Sequence, residues 1–349
     1  MKERGDGTVS AERRTTAKEV AEAAGVSISA VSRTFTKGAS VSPATREKVL
    51  AATRALGYQP NMLARALMTR RTELIGLISN NFDNPAFMEI FDLFTRRLQQ
   101  RGRRPLLANL SGGMESATAL EMLLQYNVDG VIVASSMLPP QFAEACAEAR
   151  LPVVQAFGRP GAAPDVHVVG ADNIQGGRLA GQILSERGYR RIAFLGGPAT
   201  ATSTEDRLRG FRQSLKRAGL EPVAVVYGAS YAHEAGSEQM RQLLDQEIDA
   251  VFCGDDILAM GAIDACREAR VRVPEDVGVI GFNDLAMAGW PAYRLTTIRQ
   301  PIRDIIVTAV DLILDIIDEP TRPREARLFA CEPAIRATLR EPKRRHRRE

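Results

Sequence analysis

Eight short runs of apolar and β-branched residues alternate with helix-length segments over most of the chain, from residue 73 onward. Continuous runs of this kind are typical of strands in a parallel sheet whose two faces are covered by helices. The runs are LIGLI at 74, PLLANL at 105, DGVIVAS at 129, PVVQAF at 152, RIAFLGG at 191, PVAVVYG at 222, DAVFCGDD at 249 and VGVIGFND at 277. The alternation predicts an α/β fold for this part of the chain.

The pattern nearly repeats, because YNVDGVIVAS is followed about 120 residues later by QEIDAVFCGDD. Such a repeat indicates two similar doubly wound lobes. After them, LTTIRQP at 295 to 301 precedes a helix predicted to reach about residue 318, and RLFACEPAI at 327 to 335 is predicted as one last strand.

The length of 349 residues predicts two or three compact units, since one domain usually takes ~150 residues. Apolar residues make up 45% and charged residues 25%, which are ordinary values for a globular protein. No run approaches the ~18 apolar residues of a membrane span, and the N-terminus lacks the apolar stretch of a signal peptide. We therefore expect a cytoplasmic protein without membrane partners.

Cysteines and histidines are few and scattered, with no Cys-x-x-Cys pair. This pattern favours a reducing compartment and argues against a zinc site, and no motif calls for a cofactor. The residues concerned are Cys146, Cys253, Cys266, Cys331, His167, His233 and His346.

The charge is segregated along the chain. Residues 1–72 hold 13 Lys and Arg against 6 Asp and Glu, and residues 341–349 hold 5 against 2, while the segment between them carries a net charge of −6. Phosphate neutralisation supplies much of nucleic-acid affinity, so the basic N-terminal part is a candidate for binding a polyanion. The alternative is a solvated basic surface.

Three short helices are predicted between residues 15 and 58. Thr16 and Glu19 have the spacing of a capping box, and Gly25 ends the first helix. Ser27 is the expected N-cap of the second helix, and Ser42 with Pro43 opens the third, in which Val49 and Leu56 are the apolar positions.

A helix, a tight turn and a second helix form a helix-turn-helix, whose second helix enters the major groove of DNA. Ile28, Ser29, Ser32 and Arg33 are left on the outer face of that helix. Arg33 can donate two hydrogen bonds to guanine, whereas Ile28 offers only apolar contact, as to a thymine methyl. The alternative is a three-helix bundle with a polar surface.

Residues 15–72 resemble the DNA-binding segment of the lactose/galactose-repressor (LacI/GalR) family. The match has no gap and includes AGVS, VSR, TREKV and GYQPNMLAR. The resemblance implies phosphate or groove contacts from Thr16, Ser27 and Ser32, and base reading by Ile28, Ser29 and Arg33. Thr36 stands where the family often has Asn, so one backbone-positioning contact differs.

Residues 61–68 resemble the hinge helix of the family. Eight residues fall short of the ~12–15 that an isolated helix needs in water, so we expect it to fold only with a partner and a groove. By the resemblance, two such helices lie in the minor groove, Leu67 wedges into the central base step, and Asn61 and Arg65 lie nearby. An ordinary apolar contact of a linker is the other interpretation of Leu67.

In doubly wound folds, ligands bind beyond the carboxyl ends of the strands, so two facing lobes predict a site in the cleft between them. The segments EDRLRGF at 205, GDDILAMGA at 254 and VPEDVGVIGFND at 273 resemble the periplasmic-binding-protein-like type I effector domain of the same family. The resemblance implies apolar walls from Phe87, Phe157 and Tyr231, and hydrogen bonds from Ser203, Arg207, Asp255 and Asn283.

Structural roles are the alternative for each of these residues: an ion pair for Arg207, a turn for Asn283 and core packing for the aromatic rings. Asp256 is expected to cap the helix at 256 to 269 and not to touch a ligand. A sugar or a sugar acid is the expected effector, since Arg207 can bind a carboxylate.

The sequence therefore predicts a dimeric, effector-responsive DNA-binding regulator, most simply a repressor on a palindromic operator. The expected domains are a flexible N-terminus (1–14), a helix-turn-helix domain (15–60), a hinge helix and linker (61–72), an effector-binding and dimerisation domain (73–340) and a basic disordered tail (341–349). A solute-binding protein of a transporter shares the cleft fold and is the alternative. An enzyme is disfavoured, because LIGLISNNFDN, the first strand with the residues after it, contains no Gly-x-Gly-x-x-Gly, and no Gly-x-Ser-x-Gly is present in the chain.

Overall fold

The protein divides into two compact units, residues 1–72 and residues 73–349. The computed structural model describes residues 15–36, 38–59, 66, 71–79, 82, 84–110, 116–136, 140–161 and 166–342. Among the described residues, no helix has the length and apolar character that a bilayer crossing requires.

The first unit contains the three expected helices, α1 (Ala17–Ala24), α2 (Ile28–Phe35) and α3 (Pro43–Ala55). Their sequence signals act as predicted. The capping box of Thr16 with Glu19 is present, and Gly25 adopts the left-handed conformation at φ 64° that a glycine tolerates best. Ser27 and Ser42 accept hydrogen bonds as the N-caps of α2 and α3.

A small apolar core joins the three helices and consists of Val20, Ala21, Val31, Val49 and Ala52. Leu56, an apolar position of the third predicted helix, is not part of this core, because it follows the last turn of α3 and is 40% exposed. Ala52, one turn earlier on the inner face, takes the place in the core.

The second unit has two lobes, each built on a six-stranded sheet. In lobe 1 the strand order is β2-β1-β3-β4-β5-β11, and all neighbours are parallel. Its strands are β1 (Leu74–Ser79), β2 (Arg104–Asn109), β3 (Gly130–Ala134), β4 (Val153–Ala156), β5 (His167–Ala171) and β11 (Ala326–Phe329). Its helices are α4 (Ala86–Gln100), α5 (Ser116–Gln125), α6 (Pro140–Glu148) and α11 (Ile302–Asp318).

Lobe 2 has the order β7-β6-β8-β9-β10-β12, in which only β12 runs antiparallel to its neighbour. Its strands are β6 (Ile192–Gly196), β7 (Ala224–Tyr227), β8 (Ala250–Cys253), β9 (Gly278–Asn283), β10 (Thr296–Arg299) and β12 (Glu332–Ala334). Its helices are α7 (Asn173–Glu186), α8 (Thr202–Arg217), α9 (His233–Leu244) and α10 (Asp256–Glu268), with a 3₁₀ turn at Ala286–Gly289.

The chain crosses between the lobes three times, after β5, after β10 and after β11. The predicted fold of two doubly wound lobes is confirmed. The prediction of one last strand over 327–335 is wrong, because β11 completes the sheet of lobe 1 and β12 that of lobe 2. Strands β5 and β10 were not among the predicted runs.

Two helices of lobe 2, α7 and α8, pack with almost no space between their backbones. A Cβ placed on Gly177 would lie 2.1 Å from the carbonyl oxygen of Arg207, and one on Gly210 would lie 1.9 Å from that of Ile174. Glycine is therefore required at both positions. The close packing fixes α8, which borders the cleft, to α7, which begins at the first crossing.

Candidate functional site

The outer face of α2 is the candidate DNA-reading surface. Ile28 is 53% exposed although it is apolar, and Ser29 and Arg33 are also exposed, while Ser32 is half-buried. The opposite face of α2 packs into the core through Ala30 and Val31. The helix thus presents the predicted side chains outward.

The hydroxyl groups of Thr16 and Ser27 have structural partners in addition to their predicted contacts with DNA. The Thr16 Oγ1 donates to Glu19 Oε2 (3.0 Å) and accepts from the backbone N–H of Glu19 (3.3 Å). Ser27 Oγ accepts from the N–H of Ala30 (3.2 Å) and lies 2.9 Å from Ser29 Oγ. The predicted minor-groove residues Asn61, Arg65 and Leu67 lie outside the described residues, as do residues 1–14 and 343–349.

A cavity of about 210 Å³ lies between the two lobes. All seven side chains predicted for the effector site line it, two from lobe 1 and five from lobe 2. They are Phe87, Phe157, Ser203, Arg207, Tyr231, Asp255 and Asn283.

Arg207 is the only cation in the described lining and is 5% exposed. Its Nε donates to Asn173 Oδ1 (2.9 Å), its Nη1 donates to the carbonyl of Gly254, and its guanidinium lies 3.7 Å from the ring centroid of Phe282. Burial lowers its pKa. Nη2 has no partner among the described residues, so it can donate to a ligand.

Asp255 is the only carboxylate of the described lining. Its Oδ1 caps α10 by accepting from the N–H of Ile257 (2.7 Å), and its Oδ2 accepts from Asn283 Nδ2 (2.8 Å). Burial raises its pKa to about 6, although these bonds and the charge of Arg207 act in the other direction. The carboxylate is therefore held in place on the cleft side of the helix terminus.

Asn283 ends β9 with a left-handed φ of 122°, a conformation that Asn adopts more readily than most residues. Its side-chain oxygen accepts from Gln300 Nε2 (3.3 Å), and Gln300 lies at the second crossing of the chain. Asn283 thus links Asp255 to the segment that joins the lobes.

Tyr231 presents its ring to the cavity while its hydroxyl is held by lobe 2. The hydroxyl lies 2.9 Å from Ser203 Oγ and 2.7 Å from Thr204 Oγ1. The ring lies against Gly197, where a Cβ would come within 2.2 Å of it. An aromatic face fixed in this way suits the apolar face of a sugar ring.

Phe87 and Phe157 form the wall of lobe 1. Phe87 lies in the first turn of α4 and packs on Phe91 at a centroid distance of 5.7 Å. Phe157 has a φ of 66° directly after β4, and its N–H donates to the carbonyl of Val169 (2.7 Å). The turn places its side chain on the cleft side of the sheet edge.

Three polar residues of the lining were not among the candidates at the predicted strand ends: Ser135, Ser136 and Gln300. Ser135 and Ser136 follow β3, so applying the strand-end rule to DGVIVAS would have found them. Gln300 follows β10, which was not predicted as a strand.

The expectation that Asp256 caps α10 is wrong, because Asp255 is the N-cap of this helix. Asp256 is fully buried, and its carboxylate accepts from the N–H of Leu285 (2.8 Å) and from Thr297 Oγ1 (2.5 Å). Burial raises its pKa to about 8. The residue joins α10 to β10 and the loop after β9.

Two family models match the chain: "Bacterial regulatory proteins, lacI family" over residues 16–61 and "Periplasmic binding protein-like domain" over residues 182–339. The HTH-type transcriptional regulator CelR of Thermobifida fusca is 38% identical over 325 residues, which are 89% of this chain and 95% of that protein.

Solved structures show the same similarity. The lac repressor dimer bound to operator and the anti-inducer ONPF matches with a TM-score of 0.83 and 28% identity, over 94% of this chain and all of that one. The complex of the regulator CelR with cellobiose matches with a TM-score of 0.71 and 33% identity, over 93% of this chain and all of that one. The relatives are transcriptional regulators and not enzymes. Sequence, fold and site geometry together establish that this chain belongs to the LacI family of DNA-binding transcriptional regulators.

Proposed function

We propose that this regulator represses transcription by binding a palindromic operator as a homodimer, and that a small neutral sugar in the cleft controls the binding. The observation that carries the proposal is the cavity lined from both lobes, because a ligand held by both can change how they are arranged. The DNA-bound dimer of the lac repressor and the cellobiose complex of CelR support it by similarity.

The lining favours a neutral ligand over an acidic one. Arg207 and Asp255 contribute one positive and one negative charge, and the other described residues of the lining are neutral. A ligand carboxylate that reached Arg207 would also approach Asp255. The Asp255 carboxyl group has a pKa raised to about 6 and is negatively charged above that pH. Hydroxyl groups can bind both residues, since they donate and accept. The two opposite charges of the lining therefore favour a sugar over the sugar acid that the sequence also allowed.

The domain roles belong to the proposal. Residues 15–60 bind the major groove, residues 61–72 form the hinge helix and linker, and residues 73–340 bind effector and dimerise. Two hinge helices pair on the operator, with Leu67 as the wedge and Asn61 and Arg65 beside it. Because its target is operator DNA, we expect the protein to act in the cytoplasm.

Fluorescence anisotropy with DNA from beside the protein's own gene tests the DNA-binding role. We expect Arg33→Ala and Leu67→Ala to weaken binding, while Arg272→Ala, at an exposed pair with Asp276 in lobe 2, leaves it unchanged. Unchanged binding in both of the first two variants would reject the proposed contacts.

A thermal-shift screen with neutral sugars, sugar acids and nucleobases tests the ligand. A cleft ligand stabilises the fold by RT ln(1 + [L]/Kd), about 2.7 kcal/mol at a hundredfold excess over Kd. Stabilisation by neutral sugars alone supports the proposal. Stabilisation by sugar acids alone, or by none of the sugars, would contradict it.

A further inference from the structure

Polar side chains join the two lobes directly through three contacts beside the cavity. Thr202 Oγ1 donates to the carbonyl of Ser136 (2.6 Å), Ser203 Oγ donates to Ser136 Oγ (3.2 Å), and Arg159 bridges Glu205 and Asp206. Arg159 differs from the others because neither it nor its two partners line the cavity among the described residues. Its role is therefore separate from ligand contact.

Arg159 follows β4 on lobe 1 and reaches the first turns of α8 on lobe 2. Its Nη1 donates to Glu205 Oε2 at 2.7 Å and to Asp206 Oδ1 at 3.0 Å. The Asp206 side chain is 6% exposed, whereas that of Glu205 is 60% exposed. One guanidinium thus joins a buried and an exposed carboxylate of the opposite lobe.

The burial of Asp206 distinguishes this contact from an ordinary surface ion pair, which contributes little. A cationic partner stabilises a buried carboxylate, and Asp206 Oδ1 has a second one, Arg209 Nη2, at 2.7 Å. Because Arg209 lies on α8 itself, Asp206 stays paired when the lobes separate. Removal of Arg159 should therefore weaken the link between the lobes without leaving a bare buried charge.

Asp206 and Glu205 lie between two residues of the cavity, Ser203 and Arg207, on the same helix. We infer that Arg159 is a positioning residue for the effector site, which holds α8 against lobe 1 and favours the closed cleft before ligand binds. It acts through Asp206 and Glu205. The inference deepens the proposed function, since the population of the closed state scales the apparent affinity of any cleft ligand.

Cross-linking across the cleft measures closure without DNA or effector, so its outcome is independent of the proposed function. Ser136 Oγ and Ser203 Oγ lie 3.2 Å apart on opposite lobes, and the four native cysteines are buried. The full-length protein with Ser136→Cys and Ser203→Cys is oxidised with diamide, and the rate of disulfide formation is followed. This rate reports the closed population.

We expect Arg159→Ala in this background to slow cross-linking by about three- to tenfold, and Arg159→Lys to restore part of the rate. Raising NaCl from about 0.05 to about 0.5 M should slow cross-linking of the parent, which is the protein with only the two new cysteines, because salt screens the ion pairs. It should leave the cross-linking rate of Arg159→Ala unchanged. Glu205→Gln should lower the cross-linking rate of the parent less than Arg159→Ala does. It should not change the rate of a protein that already carries Arg159→Ala.

Arg322→Ala is the matched control, since Arg322 bridges Asp315 and Glu325 within lobe 1. Its side chain is 29% exposed, and that of Arg159 is 32% exposed. It should leave the rate unchanged. Equal rates in the parent and in Arg159→Ala, or an equal loss in Arg322→Ala, would overturn the inference. The absence of any cross-link in the parent would also overturn it, because the lobes would then be apart without ligand.

Discussion

Asn173 accepts a 2.9 Å hydrogen bond from the guanidinium Nε of Arg207, and both side chains are buried. Asn173 is the first residue of α7 and follows the first crossing between the lobes directly, whereas Arg207 lines the cavity from α8. The bond therefore connects the segment that joins the lobes to the cationic group of the cleft. We therefore expect a ligand that accepts a hydrogen bond from Arg207 to affect the segment that joins the lobes.

Asn173→Ala should impair effector binding although the residue does not line the described cavity. Loss of the acceptor leaves a buried N–H of Arg207 unpaired, so we expect about tenfold weaker effector binding and an unfolding free energy lower by ~1–3 kcal/mol. Titration calorimetry and urea unfolding measure the two effects. Gln182→Ala on the same helix, which removes only an exposed bond to Glu186, should change neither. Full effector affinity in Asn173→Ala would contradict this account of Arg207.

Gly177→Ala tests the close packing of α7 and α8. The new methyl group would lie 2.1 Å from the backbone carbonyl of Arg207, which cannot rotate away, so the helices must separate. We expect a loss of ~1–3 kcal/mol in the free energy of unfolding, together with weaker effector binding. Gly289→Ala, where no atom lies within 4 Å of the new methyl group, is the control and should unfold as the parent does.

The buried carboxyl groups of Asp255 and Asp256 predict a dependence of stability on pH. Burial raises the pKa of Asp255 from 3.8 to about 6 and that of Asp256 from 3.8 to about 8. Between pH 3.8 and each raised value, the folded state therefore binds more protons than the unfolded state. Their contribution to stability is therefore fully present below pH 3.8 and is lost as the pH rises through the two raised values.

Asp256→Asn separates this effect from other titrations, because its amide resembles the protonated carboxyl and can donate to Thr297 Oγ1. We expect urea unfolding to show a smaller loss of stability between pH 5 and pH 9 in this variant than in the parent. Parallel pH profiles would show that Asp256 does not titrate in this range.

Arg33→Ala and Ile28→Ala should change which operator sequences are bound. An arginine that pairs with guanine contributes about 1–3 kcal/mol of discrimination at one base pair, and Ile28 should discriminate by contact with a thymine methyl. Binding to a library of single-base operator variants measures both effects. We expect each substitution to relax preference at its own position. A uniform loss over all sequences would indicate phosphate contacts instead.

Much of the fold could be predicted from local signals. The caps at Thr16, Ser27 and Ser42 act through neighbouring backbone groups, and continuous apolar runs mark strands that helices cover on both faces. These interactions depend on residues close in sequence or on burial alone. The three helices of the first unit and the eight predicted strands follow from them.

The remaining elements depend on partners distant in sequence. Strand β10 contains Thr296 and Thr297 in place of an apolar run. The Thr296 hydroxyl accepts from the N–H of Arg336, and the Thr297 hydroxyl donates to Asp256. The last segment divides between two sheets because β5 and β10 each leave an edge open, which no local pattern reveals. Likewise, strand ends predicted the lining of the cleft, but the contact of Arg159 with α8 across the cleft requires both lobes in place.

The central claim is that one conformational equilibrium links the cleft to the operator. Two paired measurements test this claim most directly. Titration calorimetry gives the effector affinity of the free protein and of the operator complex, and operator affinity is measured with and without saturating effector. Linkage requires the two affinities to change by the same factor, which we expect to be about 5- to 150-fold. A factor of one, with both ligands bound to the same protein, would contradict the account.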